Sequence, residues 1–373
     1  MFKLPRITFV LGTRPEAIKL APVILTFLKY KGFETRIVFS GQHKEMVFQV
    51  LDLFDIKIDL NLNVMKRGQS LSSLTSKILE RLTKDLIKNQ SQLVIIQGDT
   101  TTALAASMAA FYQKIPVAHV EAGLRTGNIL NPFPEEVNRR MISQLASLHF
   151  APTKDSFKYL KKIGVEGKVF MTGNTVIDAL QMIVSTQRNK LNSRDIFKQK
   201  GKKMILLTIH RRENWGKRIE DIAVAIKETL ISNPNLFVLL PVHKNPIVKN
   251  SIEKILGLNP QVKIIEPLKY SDMVIAMSEC DLILTDSGGI QEEAPTFKKP
   301  VLVLRETTER PEAINAGTAK LIGTDPENIK TETNKLLNNL DAYNAMIAAE
   351  NPFGDGKSSQ MILEKCINYL NTY

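Results

Sequence analysis

Cysteine is nearly absent: only Cys280 and Cys366 occur in 373 residues, far apart and outside any Cys-x-x-Cys or His/Cys cluster. That excludes a disulfide framework and a structural zinc site, and it points to a reducing compartment. No apolar run approaches the roughly 18 residues a membrane span needs. Met1-Phe2-Lys3-Leu4-Pro5 leads directly into Ile7–Leu11, which is too short for a signal-peptide core, so the expected location is the cytoplasm. Aromatic residues make up 6% and no Lys/Arg block is longer than two, which argues against a nucleic-acid interface. No Gly-x-Gly-x-x-Gly follows the first strand, which excludes a dinucleotide site of the usual kind.

What remains is a soluble-type composition, 43% apolar and 24% charged, in a chain long enough for two domains. Lys plus Arg exceed Asp plus Glu by 50 to 38, a balance of +12 that suits anionic ligands. The chain alternates apolar strands with helical spacing. Ile7–Leu11, Thr35–Ser40, Leu93–Ile96 and Pro116–Val120 are each followed by a small-residue turn and then a helix, the rhythm of a parallel doubly wound sheet. A second series starts at Met204 and repeats it. The expected fold is α/β, with two Rossmann-like domains facing a central cleft, spanning 1–172 and 173–356. The last helix, 357–373, is expected to pack back on the first domain.

In open α/β sheets, ligands collect beyond the carboxyl ends of the strands. Arg14, Asp99, Glu121 and His210 all fall there. Glu135 and Glu136 follow Pro132 and Pro134 and precede a helix expected from Val137 to about Ala146, whose N-terminus two carboxylates would complement. His119, two residues before Glu121, would point to the same side of an extended strand and either orient that carboxylate or fill space. Strand, turn and helix meet again at Leu282–Pro295, where Asp286-Ser287-Gly288-Gly289 offers unpaired helix N–H groups to a phosphate. Two carboxylates would repel a phosphate beside them, so Glu292 and Glu293 are expected to face neutral groups such as ribose hydroxyls. Arg-Pro-Glu-Ala-Ile occurs twice, at Arg14–Ile18 and Arg310–Ile314, each copy placing an arginine beside a helix start.

These residues lie in long motifs: Gly12–Lys19, Gln97–Thr102, His119–Gly127, Pro134–Glu136, His210–Glu213, Pro241–His243, Thr285–Pro295 and Thr307–Ala313. On them the chain resembles the non-hydrolysing UDP-N-acetylglucosamine 2-epimerases, relatives of the two-domain glycosyltransferases of the B type. The resemblance covers nearly the whole chain. It implies Asp99, Glu121, Glu135 and His210 as the catalytic set. It also implies that Arg14, Lys19, Ser287, Gly288, Gly289, Glu293 and Arg310 bind UDP and substrate.

Family members are typically homodimers and need no metal or nicotinamide. Some bind a second UDP-N-acetylglucosamine as activator, and the matching positions are Gln42, His43, Arg211 and His243. This sequence differs there, with Glu45 where some members have glutamine and Gly68 where some have arginine. Met273 stands where an aromatic residue often packs on uracil. The implied chemistry is loss of UDP from C1, removal of the C2 hydrogen to give a glycal, and re-addition with a proton arriving from the opposite face. His210 and the phosphate-binding groups would assist departure, and the three carboxylates would serve proton transfer and charge stabilisation. Which carboxylate acts on which face stays open. A hydrolysing 2-epimerase and a B-type glycosyltransferase are the competing activities.

Overall fold

The buried runs Ile7–Leu11 and Leu93–Ile96 are flanked on both sides by other strands, and so carry apolar residues without alternation. The computed structural model describes residues 4–66, 68–190, 197–242 and 245–372. His243 lies outside the described residues. Two units are present: one comprises Met1–Ala179 with Phe353–Tyr373, the other Leu180–Pro352.

Unit 1 contains a parallel sheet of seven strands: β1 (Arg6–Leu11), β2 (Glu34–Phe39), β3 (Leu60–Asn61), β4 (Leu93–Gln97), β5 (Val117–Val120), β6 (Leu148–Ala151) and β7 (Lys168–Met171). Their order is β3-β2-β1-β4-β5-β6-β7, so the chain reverses its direction of travel between β1 and β4. Leu74, Ile78, Leu82 and Leu86, spaced at helical period along Leu71–Asn89, pack with Val94, Ile96 and the alanines of Thr101–Tyr112. The helix Ser358–Leu370 packs on the helix Arg14–Lys29 and buries Ile362, Leu363, Cys366 and Tyr369.

Unit 2 contains six parallel strands: β8 (Lys203–Thr208), β9 (Leu236–Pro241), β10 (Val262–Ile265), β11 (Leu282–Thr285), β12 (Val301–Val303) and β13 (Ala319–Leu321). The order β10-β9-β8-β11-β12-β13 puts its reversal between β8 and β11. Ile205, Leu207, Leu282, Leu284 and Leu302 share a core with the helix Lys217–Ile231, and the half-buried Trp215 packs against it. Among the described residues no helix is long and apolar enough to cross a membrane.

The reversal point of a doubly wound sheet leaves a crevice at the carboxyl ends of its two middle strands. The turns that border it are Gly12–Thr13 and Gly98–Thr100 in unit 1, and Ile209–Arg211 and Asp286–Ser287 in unit 2.

Candidate active site

At the end of β1 the chain turns sharply at Gly12. A Cβ there would stand 2.4 Å from both Ser40 Oγ and Thr102 Oγ1, so any side chain would have to displace both hydroxyls. Thr13 caps the helix Arg14–Lys29 in extended conformation. Glu16, with no exposed surface, reaches back so that its Oε2 accepts the N–H of Thr13 at 2.6 Å and of Gly12 at 3.1 Å. Its other oxygen accepts from the Thr100 hydroxyl at 2.7 Å. Burial pushes the Glu16 carboxyl up to about 7, against the hydrogen bonds from Thr100, Thr13 and Gly12 that work to lower it. Arg14 is exposed at the helix start, and Lys19 lies a turn further in.

Lys19 Nζ donates to Glu121 Oε1 at 2.5 Å, and the Gln97 amide donates to the other oxygen of the same carboxylate. Glu121 follows β5 with φ of 66°, a left-handed conformation rare for residues other than glycine and common at functional sites. Asp99 follows β4 and binds the guanidinium of Arg139, while its carbonyl accepts from the Asn138 amide at 2.8 Å. Arg139 and Asn138 belong to the helix Glu135–Leu145, so that helix is fastened to the Asp99 turn. The acidic pair at its start divides. Glu136 is buried and accepts from Thr126 and Arg140, while Glu135 has no side-chain partner among the described residues. A rotation of about 100° between neighbours on a helix separates the two roles.

His119 and Glu121 both reach the Gly98 turn. Glu121 has left extended backbone, so strand parity no longer applies, and His119 Nε2 bonds the Gly98 carbonyl at 2.7 Å. His119 sits in register with His149 on β6, both fully buried. Burial above all holds His119 down to about 3 and His149 down to about 4, against an ordinary value of 6.5. A depressed histidine contributes stability above the unfolded value and loses it as pH falls toward the folded one. Each imidazole therefore costs about 2 kcal/mol at pH 5 relative to pH 7. Glu16 works in the opposite sense, since its contribution is complete below its unfolded value and fades as pH rises through about 7. Chemical denaturation of His149→Leu at pH 7 and pH 5 is expected to show an acid loss about 2 kcal/mol smaller than wild type. An unchanged difference would remove the histidine from the account.

In unit 2, Asp286 at the end of β11 has no exposed surface and four donors converge on it. These are the N–H of His210 at 3.0 Å, the N–H of Arg211 at 2.9 Å, the Asn214 amide at 3.0 Å and His210 Nδ1 at 3.0 Å. Burial works to raise this carboxyl, but the His210 ring, followed by the main-chain donors, outweighs it and holds Asp286 below the usual carboxylate range. With Nδ1 committed to Asp286, Nε2 of the half-exposed His210 is the nitrogen left for proton transfer. Sequence alone gives Asp286 no role beyond its place in a turn, because a lone Asp before Ser-Gly-Gly gives no sign of the histidine 76 residues upstream.

Ser287, Gly288 and Gly289 follow at the start of the helix Gly288–Glu293. Arg211 and Glu309 stand over this turn: a Cβ on Gly288 would be 3.4 Å from Arg211 Nη2 and 3.5 Å from Glu309 Oε2. Of the expected carboxylates beyond it, Glu293 accepts from the Tyr270 hydroxyl at 3.2 Å. Glu292 departs from expectation. It is buried and paired with the guanidinium of Arg310, so it faces a cation rather than a neutral group. Buried Arg305 joins Glu213, at 2.6 Å, to Glu309, at 2.9 Å, and so links the His210 turn to the 305–310 loop. Of the positions matched to the activator site, Gln42 accepts from the Thr102 hydroxyl at 2.6 Å and His43 is an exposed residue with φ of 42°. Among the described residues no three His, Cys, Asp or Glu side chains are grouped to hold a metal ion.

Two parallel sheets with helices between their strands, each with ionisable side chains at its reversal point, define a protein of the Rossmann-like α/β class. Residues 27–366 match the family model for UDP-N-acetylglucosamine 2-epimerase. The chain is 48% identical over 371 residues to the UDP-N-acetylglucosamine 2-epimerase of Salmonella typhimurium, covering 98% of this chain and 99% of that protein. It is 47% identical over 370 residues to the enzyme of Escherichia coli K12, covering 97% and 98%. The crystal structure of the Neisseria meningitidis UDP-GlcNAc 2-epimerase bound to UDP-GlcNAc superposes with a TM-score of 0.83 at 46% identity, covering 97% of this chain and all of that one. The chain belongs to the UDP-N-acetylglucosamine 2-epimerase family, and its fold is of the glycosyltransferase-B type.

Proposed function

We propose that the protein interconverts UDP-N-acetylglucosamine and UDP-N-acetylmannosamine by elimination and re-addition of UDP. The observation that carries this reading is the place of Asp286: it fixes His210 through Nδ1 and is followed directly by Ser287-Gly288-Gly289. A proton donor and an anion-binding turn are thereby held to one another, as departure of a diphosphate requires.

The hydrogen on C2 is not beside a carbonyl, so direct deprotonation has no stabilised carbanion to form. Breaking C1–O first sends that electron pair to the diphosphate oxygen, assisted by His210. The oxocarbenium-like C1 then acidifies the C2 hydrogen. A carboxylate takes it as a proton, and the C–H pair becomes the C1–C2 double bond of the glycal. Reversal with protonation from the other face inverts C2. Asp99, Glu121 and Glu135 are the carboxylates assigned to these proton transfers and to the charge at C1. Arg14, Lys19, Ser287, Gly288, Gly289, Glu293 and Arg310 are assigned to UDP and substrate.

A homodimer and a second, activating UDP-N-acetylglucosamine belong to the same proposal. Arg211 shares Asp286 with His210, so an effector that engaged Arg211 would act on the acid's own turn. Sedimentation and the substrate dependence of the initial rate check these two points. The test of the activity is incubation with UDP-N-acetylglucosamine in deuterated water, followed by NMR. Deuterium at C2 of an intact UDP-sugar is expected. Free sugar with UDP would assign hydrolysis instead, and an unchanged substrate would leave a transferase that awaits an acceptor or a protein that only binds the UDP-sugar.

A further inference from the structure

We propose that Glu16 is a positioning residue for the reaction, one buried carboxylate that ties the Gly12–Thr13 turn to Thr100 across the reversal point of the first sheet. The inference rests on the assignment of Asp99 to the chemistry. Strands β1 and β4 are hydrogen-bonded neighbours, and the turns that follow them present different groups: Arg14 and Lys19 after one, Asp99 after the other. Glu16 spans the two. Its Oε2 holds Gly12 and Thr13, and its Oε1 holds the Thr100 hydroxyl. That hydroxyl in turn accepts the Ala103 N–H at 3.0 Å and so caps the helix Thr101–Tyr112.

A helix cap alone does not account for this arrangement. The reciprocal glutamate of a capping box works at the surface, and burying a carboxylate completely costs several times what such a cap contributes. The second oxygen is spent on a residue 84 positions away, next to Asp99. The tie also survives a change of charge. Ionised Glu16 accepts from Thr100, and protonated Glu16 donates to it, because a hydroxyl can serve either way. With its carboxyl near 7, both forms are populated at neutral pH.

Displacing the Asp99 turn relative to Lys19 and Glu121 would misalign the reacting groups with little change in nucleotide grip. Glu16→Ala is expected to lower kcat by about 10- to 100-fold with KM within about threefold of wild type. Glu16→Gln, which reproduces the protonated form, is expected to restore kcat to within about threefold. Thr100→Val should copy Glu16→Ala, Thr100→Ser should not, and the double variant Glu16→Ala/Thr100→Val should lose no more than the worse single one. A folded Glu16→Ala with wild-type kcat, or losses that multiply in the double variant, would overturn the inference. If Glu16→Ala does not fold, Thr100→Val with full turnover overturns it. Asp99→Asn measured alongside separates the two levels. If it keeps turnover, the assignment of Asp99 fails and this inference with it; if it loses turnover while Glu16→Ala does not, only the tie fails.

Discussion

Turnover by a Glu121→Gln variant is expected to fall by about 10²- to 10⁴-fold, the range that a proton-transferring side chain contributes. The geometry makes the substitution demanding. Glu121 receives Lys19 Nζ on one oxygen and the Gln97 amide on the other, and its side chain is only 8% exposed. A glutamine keeps the volume but can neither accept the C2 proton nor balance the lysine, and its own NH₂ would meet one of the two donors. The lysine, 15% exposed, would lose the charge of this partner, at about 1–3 kcal/mol of stability. Deuterium incorporation at C2 by the folded variant is the measurement. Incorporation within tenfold of wild type would remove Glu121 from the proton-transfer step and leave it as the group that positions Lys19.

Asp286→Asn is expected to lower kcat by about 10²-fold or more and to reduce the unfolding free energy of unit 2 by about 1–3 kcal/mol. Four donors point at this one carboxylate, two from the main chain and two from side chains. An amide has one acceptor oxygen and must turn its NH₂ toward at least one of them. Either the His210–Arg211 turn shifts, or His210 Nδ1 loses its acceptor and the ring is no longer fixed. The ¹⁵N shifts of the His210 ring report which tautomer is present. Wild-type kcat with an unchanged ring spectrum would show that His210 needs no orienting partner.

The strand ends of this chain were legible because small residues punctuate long apolar runs. Strands β1, β4, β8 and β11 lie where Ile7, Leu93, Met204 and Leu282 begin such runs, and the turns after them carry the named residues. The two-residue β3 and three-residue β13 were not legible, being too short to show any period at the sheet edges. Paired acids were the harder problem. Glu135 and Glu136 are chemically alike and adjacent, and only their angular positions on the helix send one to Thr126 and Arg140. Glu292 and Glu293 differ in the same way, since Arg310 reaches one and Tyr270 the other.

The repeated pentapeptide makes the point most directly. Glu16 in the first copy is sealed beneath Thr100, whereas Glu312 in the second is only half-buried on a five-residue helix. Local sequence specified a helix start in both, but the residue across the sheet decided which carboxylate became part of the interior. Gln97, Arg139 and Asn138, which hold Glu121 and Asp99, were missed because their value depends on partners brought close only by parallel pairing of β4 with β5 and by the helix over them.

Unit 1 is made of two stretches of chain with the whole of unit 2 threaded between them. Its closing segment is held by the Asn174 N–H on the Phe353 carbonyl at 2.7 Å and by the Ser359 N–H on Asp178 at 2.8 Å. On the ribosome, the helix Arg14–Lys29 is therefore made early and acquires its outer covering late, after the entire second sheet has been translated. Of the two units, the one begun earlier is completed later, and the helix that presents Arg14, Glu16 and Lys19 is the one kept waiting.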